Sequence, residues 1–128
     1  MAQYKLTDEV ASIVFGLVNA SITDIPVYKG KKPTEDNPDV FIAINSLPID
    51  ANVMQKCRVN VNVHAKDLED GTEDSTTMKT RSQQILALLN KVTATTYMID
   101  FDGNESFEET ALGFHFSNLK FSFKFINK

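Results

Sequence analysis

Apolar and polar residues alternate along the chain in two different rhythms, and each rhythm predicts a different element. Residues 7–20 follow a helical spacing, with apolar side chains at Val10, Ile13, Val14, Leu17 and Val18. A second helical pattern runs from about Thr76 to Val92, and Asp74 or Ser75 is its expected N-terminal cap. The buried stripe of this second helix is predicted to be Met78, Ser82, Ile85, Leu89 and Val92.

Two segments in the middle of the chain have the patterns of strands. Residues Lys56–Lys66 alternate strictly, with Cys57, Val59, Val61, Val63 and Ala65 on one side and Arg58, Asn60, Asn62 and His64 on the other. This alternation predicts a strand in a sheet with one covered face and one solvated face. Val40–Ile44 is continuously apolar, which is typical of a central strand buried on both faces.

The remaining strands have shorter or less regular patterns. Val27 and Tyr28 predict a short strand, and Tyr97–Phe101 alternates before Asp102-Gly103, a dipeptide that favours a tight hairpin turn. The chain closes with an aromatic ladder of Phe114, Phe116, Leu119, Phe121, Phe123 and Phe125. Its alternation changes phase at Ser117-Asn118, where a β-bulge would keep both halves on one face and a short turn is the alternative.

The predicted order of elements is α-β-β-β-α-β-β. Two amphipathic helices and one sheet predict an α+β fold with two layers. We expect a largely antiparallel or mixed sheet with both helices packed on one face. The length of 128 residues fits a single domain spanning residues 1–128.

Composition and charge narrow the classes of function. The net charge is −4, which argues against a general affinity for nucleic acid phosphates. We also expect no specific binding of nucleic acid. The beginning of the chain lacks the apolar stretch of a secretory signal, and no run has the ~18 apolar residues of a membrane span. We therefore expect a protein of the cytoplasm that does not bind membranes.

Candidate catalytic chemistry is sparse in this sequence. His64 falls on the polar side of its strand and His115 stands between two phenylalanines, so both are expected to be strand residues and not general bases. Cys57, the single cysteine, falls on the apolar side of its strand, where a thiolate is disfavoured. No nucleophile–base pair or metal-ligand spacing is recognisable. We expect no enzymatic activity, no catalytic residues, no metal and no cofactor.

The connection between the second and third strands is unusual for its apolar residues. It carries Leu47, Ile49, Val53 and Met54 without a helical or strand period. Apolar side chains on a surface connection typically mark a protein contact. The four residues are therefore our candidate contact site, and the alternative is that the connection folds back on its own domain.

The layout as a whole resembles the tail-completion (tail-terminator, head–tail joining) proteins of long-tailed phages and prophages. The matching features are a short N-terminal helix, an IPVYKG strand, a polar loop with prolines and an FIAIN strand, then a long loop, a VNVNVHA strand, an acidic loop, a helix of about four turns and a closing hairpin. The resemblance covers nearly the whole chain and depends on order, spacing and length.

Membership of this family would imply a structural assembly protein. Such proteins form rings, commonly hexameric, that cap the head-proximal end of the tail tube and join it to the head connector. The implied partners are further copies of the chain, the tail-tube protein and the head-connector protein. The implied location is the host cytoplasm during assembly and then the virion. The alternatives are another non-enzymatic α+β adaptor or dimerisation module, and a small-molecule-binding domain.

Overall fold

A computed structural model describes residues 7–47, 56–94, 97–109 and 112–125 of the chain. The elements are α1 (Thr7–Ser21), β1 (Val27–Lys29), β2 (Val40–Ser46), β3 (Lys56–Lys66), α2 (Ser75–Leu89), β4 (Val92–Thr93), β5 (Tyr97–Glu109) and β6 (Phe114–Phe125). This order confirms the predicted sequence of helices and strands, with the short strand β4 as an addition.

The strands form one mixed sheet in the order β1-β2-β3-β6-β5-β4. β1 runs parallel to β2, and every other neighbouring pair is antiparallel. β3 and β6 pair without interruption from Lys56↔Lys124 to Lys66↔Phe114. These two long strands form the centre of the sheet. β2 pairs with the outer edge of β3, and β5 pairs with the outer edge of β6.

Both helices pack on the same face of the sheet, which confirms the predicted two-layer α+β fold. We call this side the covered face. Val10, Val14 and Val18 of α1 and Met78, Ile85 and Leu89 of α2 join one apolar cluster with the sheet. The sheet contributes Ile42, Ile44, Val59, Val61, Val63, Ile99, Leu119, Phe121, Phe123 and Phe125. The cluster is the hydrophobic core between the layers.

The predicted strand patterns of β2 and β3 are confirmed. Phe41–Ile44 are all buried, as expected for a strand with cover on both faces. In β3, Val59, Val61 and Val63 are fully buried, whereas their neighbours on the opposite side are partly exposed. The phase predicted for β3 from alternation alone is therefore correct.

Helix α2 begins where the sequence predicts and ends earlier. The Asp74 side chain accepts a hydrogen bond from the Thr77 backbone N–H at 3.1 Å, which confirms Asp74 as the cap. The helix ends at Leu89, before the predicted end at Val92. Lys91 adopts a positive φ of 59°, and this turn places Val92 in β4 and not on the predicted helical stripe.

Two predictions for the closing hairpin are wrong. Asp102-Gly103 is not the turn: the register passes from Phe101↔Phe121 to Gly103↔Lys120, so Asp102 is the extra residue of a bulge inside β5. Gly113, with a positive φ of 68°, precedes β6 at the connection between the two strands. Ser117-Asn118 is neither a bulge nor a turn, because β6 pairs with β3 in unbroken register there.

Candidate interaction surface

The absence of a bulge at Ser117-Asn118 puts Phe114 and Phe116 on the side of the sheet away from the helices. We call this side the open face. It also carries Phe41 and Ala43 of β2, the polar residues of β3, Lys120 of β6 and Glu105 and Phe107 of β5, as the strand register requires. Among the described residues, it is covered only at one end, by the connection 30–39 between β1 and β2.

A row of rings crosses the open face perpendicular to the strands. Phe41 and His64 stack with centroids 4.3 Å apart and planes 6° apart. His64 stacks on Phe116 at 4.9 Å, and Phe116 stacks on Phe107 at 5.0 Å. Tyr28 meets Phe41 edge-on at 5.9 Å. We call these five side chains the aromatic row, and their cross-strand contacts are a known source of sheet stabilisation.

The row ends at an exposed hydrophobic border. Phe107 lies on β5 and is 41% exposed, and Leu112, just before β6, is 68% exposed. β4 pairs only with Met98 and Ile99, so among the described residues no strand pairs with the outer edge of β5 from Asp100 to Glu109. This corner of the sheet therefore combines large apolar side chains with an available strand edge.

His64 lies within the aromatic row and faces a carboxylate. Its Nδ1 is 3.0 Å from Glu109 Oε1, and its side chain is 13% exposed. Burial lowers the pKa of His64 below its usual 6.5, against the opposing effect of Glu109, and the positive charge of Lys32 lowers it further. Since the neutral ring is favoured, His64 acts in this row mainly as a flat, stacked side chain.

Beside the row, the connection 30–39 forms one wall of a cleft of about 950 Å³. Its floor includes Phe41, Ala43 and Phe114, and Leu112 stands at its border. Lys31, Lys32, Asp39, His64, Lys66 and Glu109 also line it. The volume lies within the range of ligand pockets.

The wall of the cleft is fixed by hydrogen bonds. The Tyr28 hydroxyl donates to Asp36 Oδ2 at 2.9 Å, and Lys32 Nζ donates to the backbone carbonyls of Pro33 and Asp36 at 3.1 and 2.6 Å. Lys32 Nζ also lies 5.9 Å from the centroid of Phe41. These contacts hold the connection above the sheet and keep the cleft formed.

The rest of the open face is a polar network. Arg58 pairs with Asp102 at 3.1 Å, and Lys120 pairs with Glu105. Asn118 Nδ2 donates to Asn62 Oδ1 at 2.5 Å. Among the described residues, Asn60 Oδ1 is a buried acceptor without a hydrogen-bond partner. In the middle of this face, most polar side chains therefore pair with one another. The apolar side chains available for binding lie mainly at the end of the face that carries the cleft.

The second histidine, His115, lies on the covered face, at the beginning of β6. His115 Nδ1 is 2.6 Å from Asp67 Oδ1, and His115 Nε2 is 3.8 Å from Glu108 Oε1. The hydrogen bond to Asp67 raises the pKa of His115 above its usual 6.5. Nearby, α2 and the strands β5 and β6 border a smaller groove of about 300 Å³.

Of the four candidate contact residues named from the sequence, the structure describes Leu47. Leu47 is 41% exposed, and its backbone N–H donates to the Arg58 carbonyl at 2.8 Å. The other three candidate contact residues, Ile49, Val53 and Met54, lie outside the described residues. Cys57 is buried, and burial raises the pKa of its thiol to about 11. The thiolate is therefore strongly disfavoured at neutral pH.

Sequence reasoning did not find the aromatic row or the cleft. The available signal was the phase change of the C-terminal ladder, which places Phe114 and Phe116 opposite to Leu119 and Phe121. The predicted explanation of that change was a bulge or a turn. The change instead reflects a regular strand that carries apolar side chains on both faces. The cleft depends on how the connection 30–39 folds over β2, which no local pattern encodes.

Two further structural findings concern classes of site. No group of three or more His, Cys, Asp or Glu residues in the described part of the chain is arranged to hold a metal ion. Neither of the two described helices is long and apolar enough to cross a membrane.

The chain matches no model of a protein family, and no curated protein matches it.

Proposed function

We propose that this chain is a non-enzymatic assembly protein that caps the head-proximal end of a phage or prophage tail tube and joins it to the head connector. The layout of the sequence, which resembles the tail-completion proteins, suggests this role. The structural observation that supports it best is the open face, where the aromatic row ends at the exposed Phe107 and the cleft is bordered by the exposed Leu112. The protein would act in the host cytoplasm during assembly and then in the virion.

The exposed border of the open face favours a protein partner. Phe107 is 41% exposed at the end of the aromatic row, and Leu112 is 68% exposed at the border of a cleft with an aromatic floor. Exposed apolar side chains of this kind commonly mark an interaction site. Covering a large apolar side chain is worth roughly 1.5–3 kcal/mol. A partner that covers this corner would therefore gain affinity from groups that the described part of the chain leaves in water.

Two unlike ends of the sheet favour a head-to-tail arrangement of copies. At one side, the three-residue strand β1 precedes the connection 30–39. At the other, β5 has an outer edge from Asp100 to Glu109 that no described strand pairs with. An interface between two different patches makes a ring when its rotation closes, and a strand edge is a ready site for pairing. A closed ring is the form that a tube cap requires.

The acidic charge fits a cap through which DNA passes. With a net charge of −4 per chain, a ring of copies carries a negative field that repels the phosphate backbone. We expect DNA to move through the ring without binding to it.

The experiment that tests the role is a tube-length assay. The tail-tube protein from the same genome is polymerised alone and with this protein added, and tube lengths are measured in negatively stained images. We expect short tubes with a ring at one end. Unchanged tube lengths, with no ring bound at any tube end, would contradict the proposal. The assay is repeated with the Leu68→Asp variant as a control for nonspecific effects of changing the surface. This variant alters a 49% exposed leucine on the β3–α2 connection.

A small-molecule-binding domain is the second candidate, and the cleft of about 950 Å³ is the observation that favours it. In such a domain the ligand would also be able to lie in a pocket between the helices and the sheet. That layer is instead filled by the apolar cluster of the described residues. A search for metabolites that raise the melting temperature of the purified protein distinguishes the candidates. Stabilisation that Ala43→Arg removes would favour the second.

A further inference from the structure

We propose that the cleft on the open face receives residues 48–55 of a second copy of this chain. The connection between β2 and β3 of one copy then binds beside the aromatic row of the next, head to tail. This inference rests on the proposed function, because it names the surfaces through which copies of an assembly protein meet. It assigns a role both to the cleft and to the apolar connection.

The positions of the two features in the fold are the first argument. β2 runs from Val40 to Ser46, and the cleft extends along it from Phe41 to Asn45, with its apolar end at the beginning of the strand, beside Phe41 and Phe114. The connection 48–55 follows the end of β2, after Leu47. The donor segment and the apolar end of the acceptor cleft are therefore at opposite ends of the same strand, which is the geometry of a head-to-tail contact.

The length of the connection is the second argument. Leu47 is six positions after Phe41 in the sequence, just beyond the end of β2, which is roughly 20 Å at the rise of a strand. The hydrogen bond from Leu47 N–H to the Arg58 carbonyl anchors the base of the connection. A chain that leaves at Leu47 and returns at Lys56 extends at most about 15 Å from its base, since half of its residues lead back. The apolar end of its own cleft, beside Phe41 and Phe114, is therefore beyond the reach of the connection.

Chemical complementarity is the third argument. The connection has the sequence PIDANVMQ, in which Ile49, Val53 and Met54 are apolar and Asp50 is the single charged residue. The cleft offers the apolar side chains of Phe41, Phe114 and Leu112 as contacts for them. Its charged lining consists of Lys31, Lys32 and Lys66 against Asp39 and Glu109. This excess of one positive charge is suited to the carboxylate of Asp50.

The test uses two variants that each damage one surface. The cleft variant combines Leu112→Asp with Lys66→Glu, two changes at exposed positions that reverse the character of the border. The connection variant replaces Leu47, Ile49, Val53 and Met54 with Ser. Each variant alone is expected to be monomeric by sedimentation, with a melting curve that establishes folding. Leu68→Asp, an exposed leucine outside the cleft, is expected to assemble like the unmodified protein.

Mixing the two variants gives the decisive result. The connection variant keeps an intact cleft, and the cleft variant keeps an intact connection. They are therefore expected to form a complex of one copy each, about twice 14.3 kDa, that grows no further because its remaining surfaces are both damaged. Two variants that stay monomeric when mixed, or a cleft variant that assembles normally, would overturn the inference.

A cross-link gives the same test without damaging either surface. A copy with Leu112→Cys is mixed with a copy carrying Ala51→Cys under mild oxidation. Cys57 is buried and has a raised thiol pKa, so it is a poor competitor. We expect mixed disulfide dimers in excess over either homodimer, and their absence would count against the contact. If the unmodified protein assembles but these tests fail, copies meet elsewhere and the proposed function survives. If the unmodified protein is a monomer, the proposed function itself fails.

Discussion

The covered and open faces belong to the same strands, yet different neighbours lie against them. On the covered face, β3 presents Val59, Val61 and Val63, all fully buried under the helices. On the open face, the same strand presents partly exposed polar residues and His64, which stacks between Phe41 and Phe116. Alternation along one strand therefore separates the residues that stabilise the fold from those available for contacts. Substitutions at neighbouring positions test this separation.

The largest difference is expected from a charge placed on either face of β3. Val61→Asp puts a carboxylate in the apolar cluster without a partner and should lower the free energy of unfolding by more than about 3 kcal/mol. Asn62→Asp keeps an acceptor for the Asn118 amide, which lies 2.5 Å from Asn62 Oδ1, and should change it by less than about 1 kcal/mol. Urea denaturation followed by circular dichroism measures both. Equal losses would show that the two faces of β3 are not distinct.

A smaller difference is expected from removing one ring on each face of β6. Phe121 is fully buried in the core, so Phe121→Ala should cost about 3–5 kcal/mol. Phe116 is half-buried in the aromatic row, so Phe116→Ala should cost about 1–2 kcal/mol, mainly from the lost ring contacts. The same denaturation experiment decides. A loss for Phe116→Ala as large as that for Phe121→Ala would make the open face part of the fold's own core.

The smallest effects are expected from the two histidines, and they have opposite signs. The pKa of folded His115 is raised, so its contribution to stability is fully present below about pH 6.5 and is lost as pH rises through the raised value. The pKa of folded His64 is lowered, so protonation of the unfolded chain costs stability as pH falls below about 6.5. Each histidine is changed to Asn, which retains a donor near the position of Nδ1.

The two Asn variants are compared with the unmodified protein at about pH 5.5 and about pH 8.5, on either side of the usual titration of histidine. His115→Asn should be more destabilising at the lower pH than at the higher pH. His64→Asn should be less destabilising at the lower pH. With Asn at this position, the unfolded chain no longer gains a proton that the folded protein cannot bind, so this loss of stability disappears. A larger loss for His64→Asn at the lower pH would mean that His64 is protonated in the fold and paired with Glu109.

The parts of the fold that local pattern determines were predictable. The alternation of apolar and polar residues predicted which side chains of β3 face the core. The position of Asp74 before a polar first turn predicted the start of α2. Helical spacing gave α1 over nearly its full length. In each case the apolar side chains of one segment lie on one side and face the same core. The spacing of apolar residues within the segment is therefore enough to predict the element.

The closing hairpin was mispredicted because two of its signals have more than one structural meaning. Asp102-Gly103 favours a turn in isolation, but an unusual backbone conformation is equally useful in a bulge. The phase change in β6 has three explanations, a bulge, a turn or a strand with apolar residues on both faces. Pairing with β3 on one side and β5 on the other selects the third. The aromatic row and the cleft follow from that pairing, so the candidate site was beyond local reasoning.

The most direct test of an assembly role is the mass of the unmodified protein in solution. Sedimentation is measured over a wide concentration range and compared with the mass of one chain, 14.3 kDa. Head-to-tail contacts that close predict one discrete assembly of several copies, whose mass reaches a plateau as concentration rises. A mass of one chain at the highest concentration, or a mass that grows without limit, would contradict a closed ring built from this sheet.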